Sequence, residues 1–407
     1  MGLLDFFRRK KQPGDSQADF AHMLMAWIRE QGINDPMHYE ADSFRIVVGR
    51  GTIMNLHNAY RDFHASPQEE QREVLRRYTA FFGETESAPG DFSQARTSLM
   101  PVIKPRIYLD HASAARLPDS PVLHMAWREF GPDAILLLAI DSEHSISMIG
   151  EKVLQDWGVS FEEALAVALD NLRERSPDSF ARLNTGVVAG AWGDAYDSSR
   201  ILLPDMAYRA GDGVEQVVMV PERGLYLLAP LHAPAVQLAM VALARTEMEG
   251  SGRPLSAMMY RYLDGRAVPY QPDDTAVAAA LRAVERISLA RDYADQQQEL
   301  EQRYQAAQED IFVASYSLQQ DEASGQVFSY SVWTRDVLSL LPCTDWVALV
   351  DSDTGRVRWQ RWPQVMEAAG EMARPEEGVG YPPRMRVSGF LPESGLAAAM
   401  EQPEMQA

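Results

Sequence analysis

The sequence predicts an α+β protein in which a mixed or antiparallel sheet with helices is followed by a long linking helix and a small antiparallel β module. Strand and helix patterns alternate through residues 17–272, which predicts one α+β body. Residues 274–311 are rich in Ala, Gln, Glu and Arg, which favours a single helix of about 38 residues. Short apolar runs after residue 312, two of them joined by a Gly-containing turn, predict the β module.

The first elements follow from periodicity, capping and turn signals. Residues 19–31 place apolar side chains on one face and predict a helix. Two strand-like runs, 44–48 and 52–56, flank Gly-Arg-Gly and predict a hairpin. The segment Ser66-Pro67-Gln68-Glu69 has the pattern of a capping box, which predicts a helix that begins there and ends at Gly83.

The middle of the chain has a strand signal followed by a helix signal. The continuous apolar run 134–140 predicts a strand that is buried on both faces. The polar residues 141–144 then predict a turn into a partner strand over 145–149. Ser160 and Glu163 form a second capping box, which predicts the start of a helix.

Further strands are predicted on both sides of the long helix. Before it, two hairpins are expected, 217–220 with 225–228 and 258–263 with 267–270. After it, four strands are expected, over 312–319, 327–333, 346–351 and 356–362.

These elements predict five segments along the chain. They are a basic tip and linker (1–16), the α+β body (17–272, with a subdomain break near 84–95 left open), the long helix (273–311), the β module (312–392) and a loose tail (393–407).

Charge and cysteine content exclude several classes of site. The chain has 407 residues, with 38 Lys and Arg against 58 Asp and Glu, so its net charge is −20. An acidic surface repels phosphate backbones, and no nucleic-acid partner is expected. Cys343 is the single cysteine, which excludes an internal disulfide and a cysteine-based zinc site. We expect no cofactor and no metal, and no stretch has the composition of a membrane span.

The N-terminal tip differs in charge from the rest of the chain. Coiled into a helix, it places four apolar side chains beside basic ones; the residues concerned are Leu3, Leu4, Phe6, Phe7, Arg8 and Arg9. Such a segment suits the surface of an anionic membrane, which gives a candidate peripheral contact. The alternative is a frayed terminus or a short helix docked on the body.

Five segments in the middle of the chain carry a resemblance to a known family. They are Leu99–Lys104, Val188–Gly190, Ala195–Leu202, the hairpin over Val218–Leu228, and Pro254–Ser256 leading to Tyr262–Gly265. In this order and spacing, residues 94–272 resemble the YtpQ-like family of bacterial proteins, whose function is uncharacterised. The resemblance implies an intracellular bacterial protein with an α+β domain, and it brings no catalytic residues.

Two carboxylates and two imidazoles form the first candidate site. Asp110 and His111 follow one predicted strand, and Asp141 and His144 follow another. If the two strands are neighbours, the four side chains meet at one sheet edge, where they suit a divalent metal or an acid–base pair. The alternative, which we favour, is that the second pair belongs to an ordinary polar turn.

A second candidate site lies within the segment of family resemblance. Asp197 is expected to cap a short helix, and Arg200 to offer its planar fork to an anion or to Asp194. Together with Tyr196, these residues form a candidate ligand-binding site at a helix start. The favoured alternative is a capped turn with an internal salt bridge.

Four tryptophans of the β module form a third candidate. They are Trp333, Trp346, Trp359 and Trp362. Aromatic side chains on alternate strand positions either form the core of a small module, which we favour, or provide a recognition surface.

No strong catalytic motif is present, so we expect a non-enzymatic binding or adaptor protein with a protein partner. The expected location is the cytoplasm, with a peripheral inner-membrane contact as an option. The rival hypothesis is a metal-dependent or acid–base hydrolase that uses Asp110, His111, Asp141 and His144.

Overall fold

The computed structural model describes most of the chain, and the chain divides by packing into two compact units. The described residues are 16–33, 36–41, 44–48, 52–79, 89–110, 124–142, 146–250, 254–320 and 326–391. The first unit comprises Met1–Ile103, His111–Glu129 and Leu136–Pro177. The second unit comprises Lys104–Asp110, Phe130–Ile135 and Asp178–Ala407. The basic tip lies outside the described residues.

The first unit begins with helices around a small antiparallel sheet. The helices are α1 (Gln17–Glu30), α2 (His57–Ala65) and α3 (Gln71–Thr79), and the strands are β1 (Met37–Glu40), β2 (Arg45–Val48) and β3 (Thr52–Asn55). Helix α1 is confirmed, with the Ser16 hydroxyl accepting from the Asp19 N–H, and the β2–β3 pairing confirms the first hairpin.

The predicted capping box after α2 is wrong. Ser66 ends α2 instead of beginning a helix, because its N–H binds the carbonyl of Asp62. Pro67 follows immediately, as is common after a helix end, and α3 begins only at Gln71. Helix α2 was not predicted from the sequence.

A second sheet and further helices complete the first unit. The sheet has the order β4 (Leu99–Pro105), β6 (Ala134–Asp141), β5 (Trp127–Glu129). Strand β7 (Ile146–Met148) also pairs with β6. The boundary between the two units crosses β4 and β6. The helices are α4 (Phe92–Ala95), α5 (Glu151–Trp157) and α6 (Phe161–Glu174). Residues 134–140 are all buried, and the β6–β7 pairing confirms the partner strand. The Ser160–Glu163 capping box that begins α6 is also confirmed.

The second unit contains a six-stranded antiparallel sheet. Its order is β13 (Arg266–Pro269), β12 (Met259–Leu263), β10 (Gln216–Met219), β11 (Leu227–Pro230), β9 (Val188–Gly190), β8 (Phe180–Arg182). The β10–β11 and β12–β13 pairings confirm both predicted hairpins. Helix α7 (Pro204–Ala210) follows a 3-10 turn over Ser198–Leu202, and α8 (Pro234–Gly250) packs on the sheet.

The predicted long helix is confirmed as α9 (Thr275–Ala307), which begins where the Asp274 carboxylate accepts the N–H groups of Ala276 and Val277. Its first half contributes Val277, Leu281 and Val284 to the core beneath the six-stranded sheet. Its second half contributes Leu300 and Tyr304 to a cluster with residues of the β module. One helix therefore belongs to two cores of the same unit.

The β module after α9 consists of two four-stranded sheets and helix α10 (Trp362–Ala369). One sheet has the order β14 (Phe312–Val313), β17 (Ser339–Pro342), β21 (Arg384–Val387), β20 (Ala373–Pro375). The other has the order β15 (Ser317–Gln320), β16 (Val327–Thr334), β18 (Trp346–Asp351), β19 (Arg356–Arg361). The β14–β17 and β16–β18 pairs are parallel, and the other neighbours are antiparallel.

Candidate functional site

The two described carboxylates of the first candidate site have separate partners. Strand β4 ends at Pro105, before Asp110, whose carboxylate accepts the backbone N–H of Tyr381 at 2.8 Å within the second unit. Asp141 makes an ion pair with Arg175 within the first unit. His111 and His144 lie outside the described residues. Among the residues that the structure describes, no cluster of three or more His, Cys, Asp or Glu side chains is arranged to hold a metal.

The second candidate site is held together mainly by hydrogen bonds within the segment 192–200. The buried Arg200 guanidinium binds Asp194 through two bonds, with Nη1–Oδ1 at 2.8 Å and Nη2–Oδ2 at 2.6 Å. It also lies over the Trp192 ring, 4.2 Å from the centroid. Burial opposes ionisation of Asp194, but the hydrogen bonds from Arg200 and the Tyr196 N–H prevail and lower the pKa of this carboxyl. The internal salt bridge is therefore present, and the Arg200 guanidinium is occupied by its two hydrogen bonds to Asp194.

The predicted role of Asp197 as a helix cap is wrong. Its carboxylate makes no capping bond to the 3-10 turn over Ser198–Leu202. Instead it accepts the backbone N–H groups of Trp192, Gly193 and Asp194, at 3.3, 3.2 and 3.2 Å. Asp197 closes the preceding turn, because those three N–H groups converge on one side chain. Ligand binding by this network stays a prediction.

The four tryptophans of the β module occupy different environments. Trp333 is fully buried in the main core of the module, where Trp362 also packs. Trp346 and Trp359 form a separate cluster with Phe328 and Tyr330 on the other face of the β16–β18–β19 sheet. The edge of this second cluster meets a cleft that was not predicted from the sequence.

This cleft, hereafter the arginine cleft, lies in the second unit between α9 and the β15–β16–β18–β19 sheet. Its volume is about 500 Å³, a size typical of ligand sites. Its lining consists of Arg245, Ala279, Ala280, Arg282, Ala283, Arg286, Gln320, Gln326, Val327, Phe328, Asp345, Trp346 and Arg361. Four arginines and one aspartate give this lining a charge of about +3, whereas the whole chain carries −20.

One of the four arginines is fixed in the wall of the cleft. Arg286 donates to both oxygens of Asp345, at 2.7 and 2.8 Å, and to the carbonyl of Val327 at 2.8 Å. The Asp345 carboxylate also accepts from the N–H and hydroxyl of Ser329. Burial opposes ionisation of Asp345, but the bonds from Arg286 outweigh it and lower the pKa. This half-buried pair joins α9 to the sheet.

The other three arginines are accessible to a ligand. Arg361 lies over the Trp346 ring, with 3.9 Å between guanidinium carbon and centroid, and it is exposed. Arg282 is exposed on α9, and no carboxylate of the described chain forms an ion pair with either residue. Arg245 pairs with Glu249 at 2.8 Å, but both side chains are about half exposed, so this bond is weak and exchangeable.

Three carboxyl groups have raised pKa values, and two of them, Glu285 and Asp292, lie on α9. Burial, reinforced by the charge of Asp133, raises the pKa values of Glu285 and Asp292 to about 7 each. Burial also raises the pKa of Asp133 to about 6, although it accepts from the Ser256 hydroxyl and the Ala257 N–H, both at 2.8 Å. Arg282, Arg286 and Gln271 act in the opposite direction on Glu285, and Arg291 does so on Asp292. These groups make stability depend on pH.

No protein-family model, curated protein or solved structure matches this chain. In the described part of the chain, no helix combines the length and apolar character needed to cross a membrane.

Proposed function

We propose that this chain is a non-enzymatic binding or adaptor protein, and that its arginine cleft receives an acidic segment of a protein partner. The observation that carries the proposal is the local reversal of charge. A lining of about +3 sits on a chain whose net charge is −20. Such a patch attracts an anion at short range while the rest of the surface repels anions, so binding is confined to one place.

The chemistry of the side chains favours carboxylates as the ligand groups. Arginine presents a planar fork that matches a carboxylate through two parallel hydrogen bonds. Arg282 and Arg361 are exposed, come from different walls of the cleft, and have no ion-pair partner in the described chain. Stacking on Trp346 restricts Arg361 before a ligand arrives, which lowers the entropy lost on binding.

A protein segment fits the cleft better than a nucleic acid does. A nucleic-acid strand carries charge along its whole length and would run from the cleft onto an acidic surface. An acidic peptide concentrates its charge in a few side chains, which suits a cleft of about 500 Å³. The short side chains of Ala279, Ala280 and Ala283 leave room for a backbone to approach α9.

The proposal also includes three expectations that come from the sequence alone. They are the YtpQ-like character of residues 94–272, a cytoplasmic location, and a peripheral membrane contact through the tip. The rival hydrolase still requires Asp110, His111, Asp141 and His144. The separate partners of Asp110 and Asp141 give it no support within the described residues, and metal analysis of the purified protein tests it directly.

The test uses a fluorescein-labelled hexaglutamate peptide and measures its anisotropy on titration with the full chain. Each open arginine contributes a charge-assisted bond, so we expect the double variant Arg282→Ala/Arg361→Ala to bind at least tenfold more weakly. The matched control is Arg173→Ala/Arg374→Ala, which removes the same charge from exposed sites outside the cleft. Binding should also weaken steeply with added salt.

Three outcomes would overturn the proposal. They are failure of the wild-type protein to bind the peptide, equal loss of affinity in the cleft and control variants, and equal competition by an unlabelled oligonucleotide or by inorganic phosphate. The last outcome would assign the cleft to phosphate instead of carboxylate groups.

A further inference from the structure

A smaller, more apolar pocket adjoins the arginine cleft and shares one residue with it. The pocket has a volume of about 220 Å³ and lies between the end of α8 and the middle of α9. Its lining consists of Arg245, Met248, Glu249, Pro254, Val284, Ile287, Ser288 and Arg291. Arg245 lines both spaces, so the cleft and the pocket adjoin at this side chain.

The residues of α9 fix the spacing between the two sites. Those lining the cleft run from Ala279 to Arg286, and those lining the pocket run from Val284 to Arg291. With 3.6 residues per turn and a rise of 1.5 Å, the two sets are centred roughly 120° apart around the helix and about 8 Å apart along it. The sites are therefore on the order of 10 Å apart, which an extended peptide spans in about three residues.

The lining determines which side chain the pocket accepts. Met248, Pro254, Val284 and Ile287 provide an apolar interior, and a methionine adapts to differently shaped apolar groups. Arg245 and Arg291 stand at the pocket with Glu249 as the single acid, so positive charge continues from the cleft to this point. An apolar side chain flanked by acidic residues satisfies both features.

We propose that the partner segment carries a leucine-sized apolar side chain about three residues from its acidic residues, and that this side chain enters the pocket beside Arg245. This inference rests on the proposed function, because it assumes that the acidic residues occupy the arginine cleft. The cleft then attracts the segment, and the pocket selects among acidic segments by burying one apolar group.

The test compares three labelled peptides that differ in the presence or the position of one leucine. Each carries two glutamates in a glycine–serine background. The first has a leucine three residues after the glutamates, the second has serine at that position, and the third has the leucine directly after the glutamates. Burial of a leucine side chain is expected to make the first peptide bind roughly tenfold more tightly than the other two.

Pocket variants then locate the effect. Ser288→Trp fills the pocket from α9 and should abolish the advantage of the first peptide while leaving the affinity for the serine peptide unchanged. Ser288→Ala is the matched control and should preserve the advantage. If Ser288→Trp fails to fold, the comparison of the three peptides on the wild-type protein still tests whether an apolar side chain at this spacing strengthens binding.

The outcomes separate the two proposals. Equal binding of the leucine and serine peptides would overturn the inference while leaving the acidic-segment proposal intact. Equal binding of the two leucine peptides would refute the spacing. Failure of all three peptides and of hexaglutamate to bind would remove both proposals together.

Discussion

Replacing the buried Arg384 should destabilise the second unit more than any exposed arginine replacement. Only 1% of Arg384 is exposed, and its guanidinium donates four hydrogen bonds. They go to Gln296 Oε1 at 2.7 Å and to the carbonyls of Ala314, Leu340 and Tyr293 at 2.7, 3.1 and 3.2 Å. Arg384 therefore joins strand β21 to α9 and to strand β17.

The expected magnitude follows from two opposing contributions. At about 1.5 kcal/mol for each bond from a charged donor, four bonds contribute about 6 kcal/mol. Burial of the charge opposes this and is the main cause that lowers the pKa of Arg384 from 12.5 to about 10, against the opposing effects of Tyr293 and Cys343; the net shift corresponds to roughly 3 kcal/mol against the charged form. The variant Arg384→Met keeps the apolar volume and removes both contributions, so a net loss of about 3 kcal/mol is expected.

Urea unfolding followed by tryptophan fluorescence measures this loss, since Trp333 reports on the core of the β module. The matched control is Arg386→Met, two residues along the same strand. Arg386 donates two bonds to Glu376, at 2.6 and 2.8 Å, but its own side chain is 37% exposed, so its loss should cost clearly less than the loss of Arg384. Wild-type stability in Arg384→Met would refute the reasoning, because it would mean that the four bonds only offset the cost of burying the charge.

Two further predictions concern pH and the membrane. The pKa values of Glu285 and Asp292 in the folded state are raised to about 7. Between about pH 4 and 7 the folded state therefore binds more protons than the unfolded state. As a consequence, the free energy of unfolding falls as the pH rises through this range. The double variant Glu285→Gln/Asp292→Asn should therefore gain melting temperature over the wild type at pH 8 but little at pH 4, and an equal gain at both would contradict this linkage. For the tip, deletion of residues 1–11 should abolish co-sedimentation with vesicles of anionic lipid, whereas equal sedimentation with and without these residues would remove the membrane hypothesis.

The elements predicted correctly are those whose signals are local. The capping box of Ser160 and Glu163 lies within four residues, and the apolar run 134–140 needs no partner to be recognised as a buried strand. Helix α2 was missed although Ala59 and Phe63 are four residues apart on its buried side. The box at Ser66 failed because the same residue types that begin one helix also end another.

The residues of the candidate cleft were harder to predict because they converge from distant parts of the chain. The arginine cleft takes residues from 245 to 361, and only Arg282 and Arg286, four apart on one helix, form a local pattern. The predicted site at Asp110 and Asp141 assumed that a strand ends at Asp110, whereas β4 ends five residues earlier. The ion pair between Arg200 and Asp194 could be predicted from the local pattern, because the two residues are only six positions apart.

Two arginines attach α9 to the two sheets of the β module. Arg286 attaches α9 to the start of β18 through Asp345 and to β16 through the Val327 carbonyl. Arg384 attaches the same helix to β21 through Gln296 and the Tyr293 carbonyl. Arg286 therefore holds the wall of α9 that carries Arg282 against the sheet that carries Arg361, and Arg384 holds the same helix against the other sheet of the module. A segment that binds there has little ordering left to impose on the protein, so a small cleft can bind it with useful affinity.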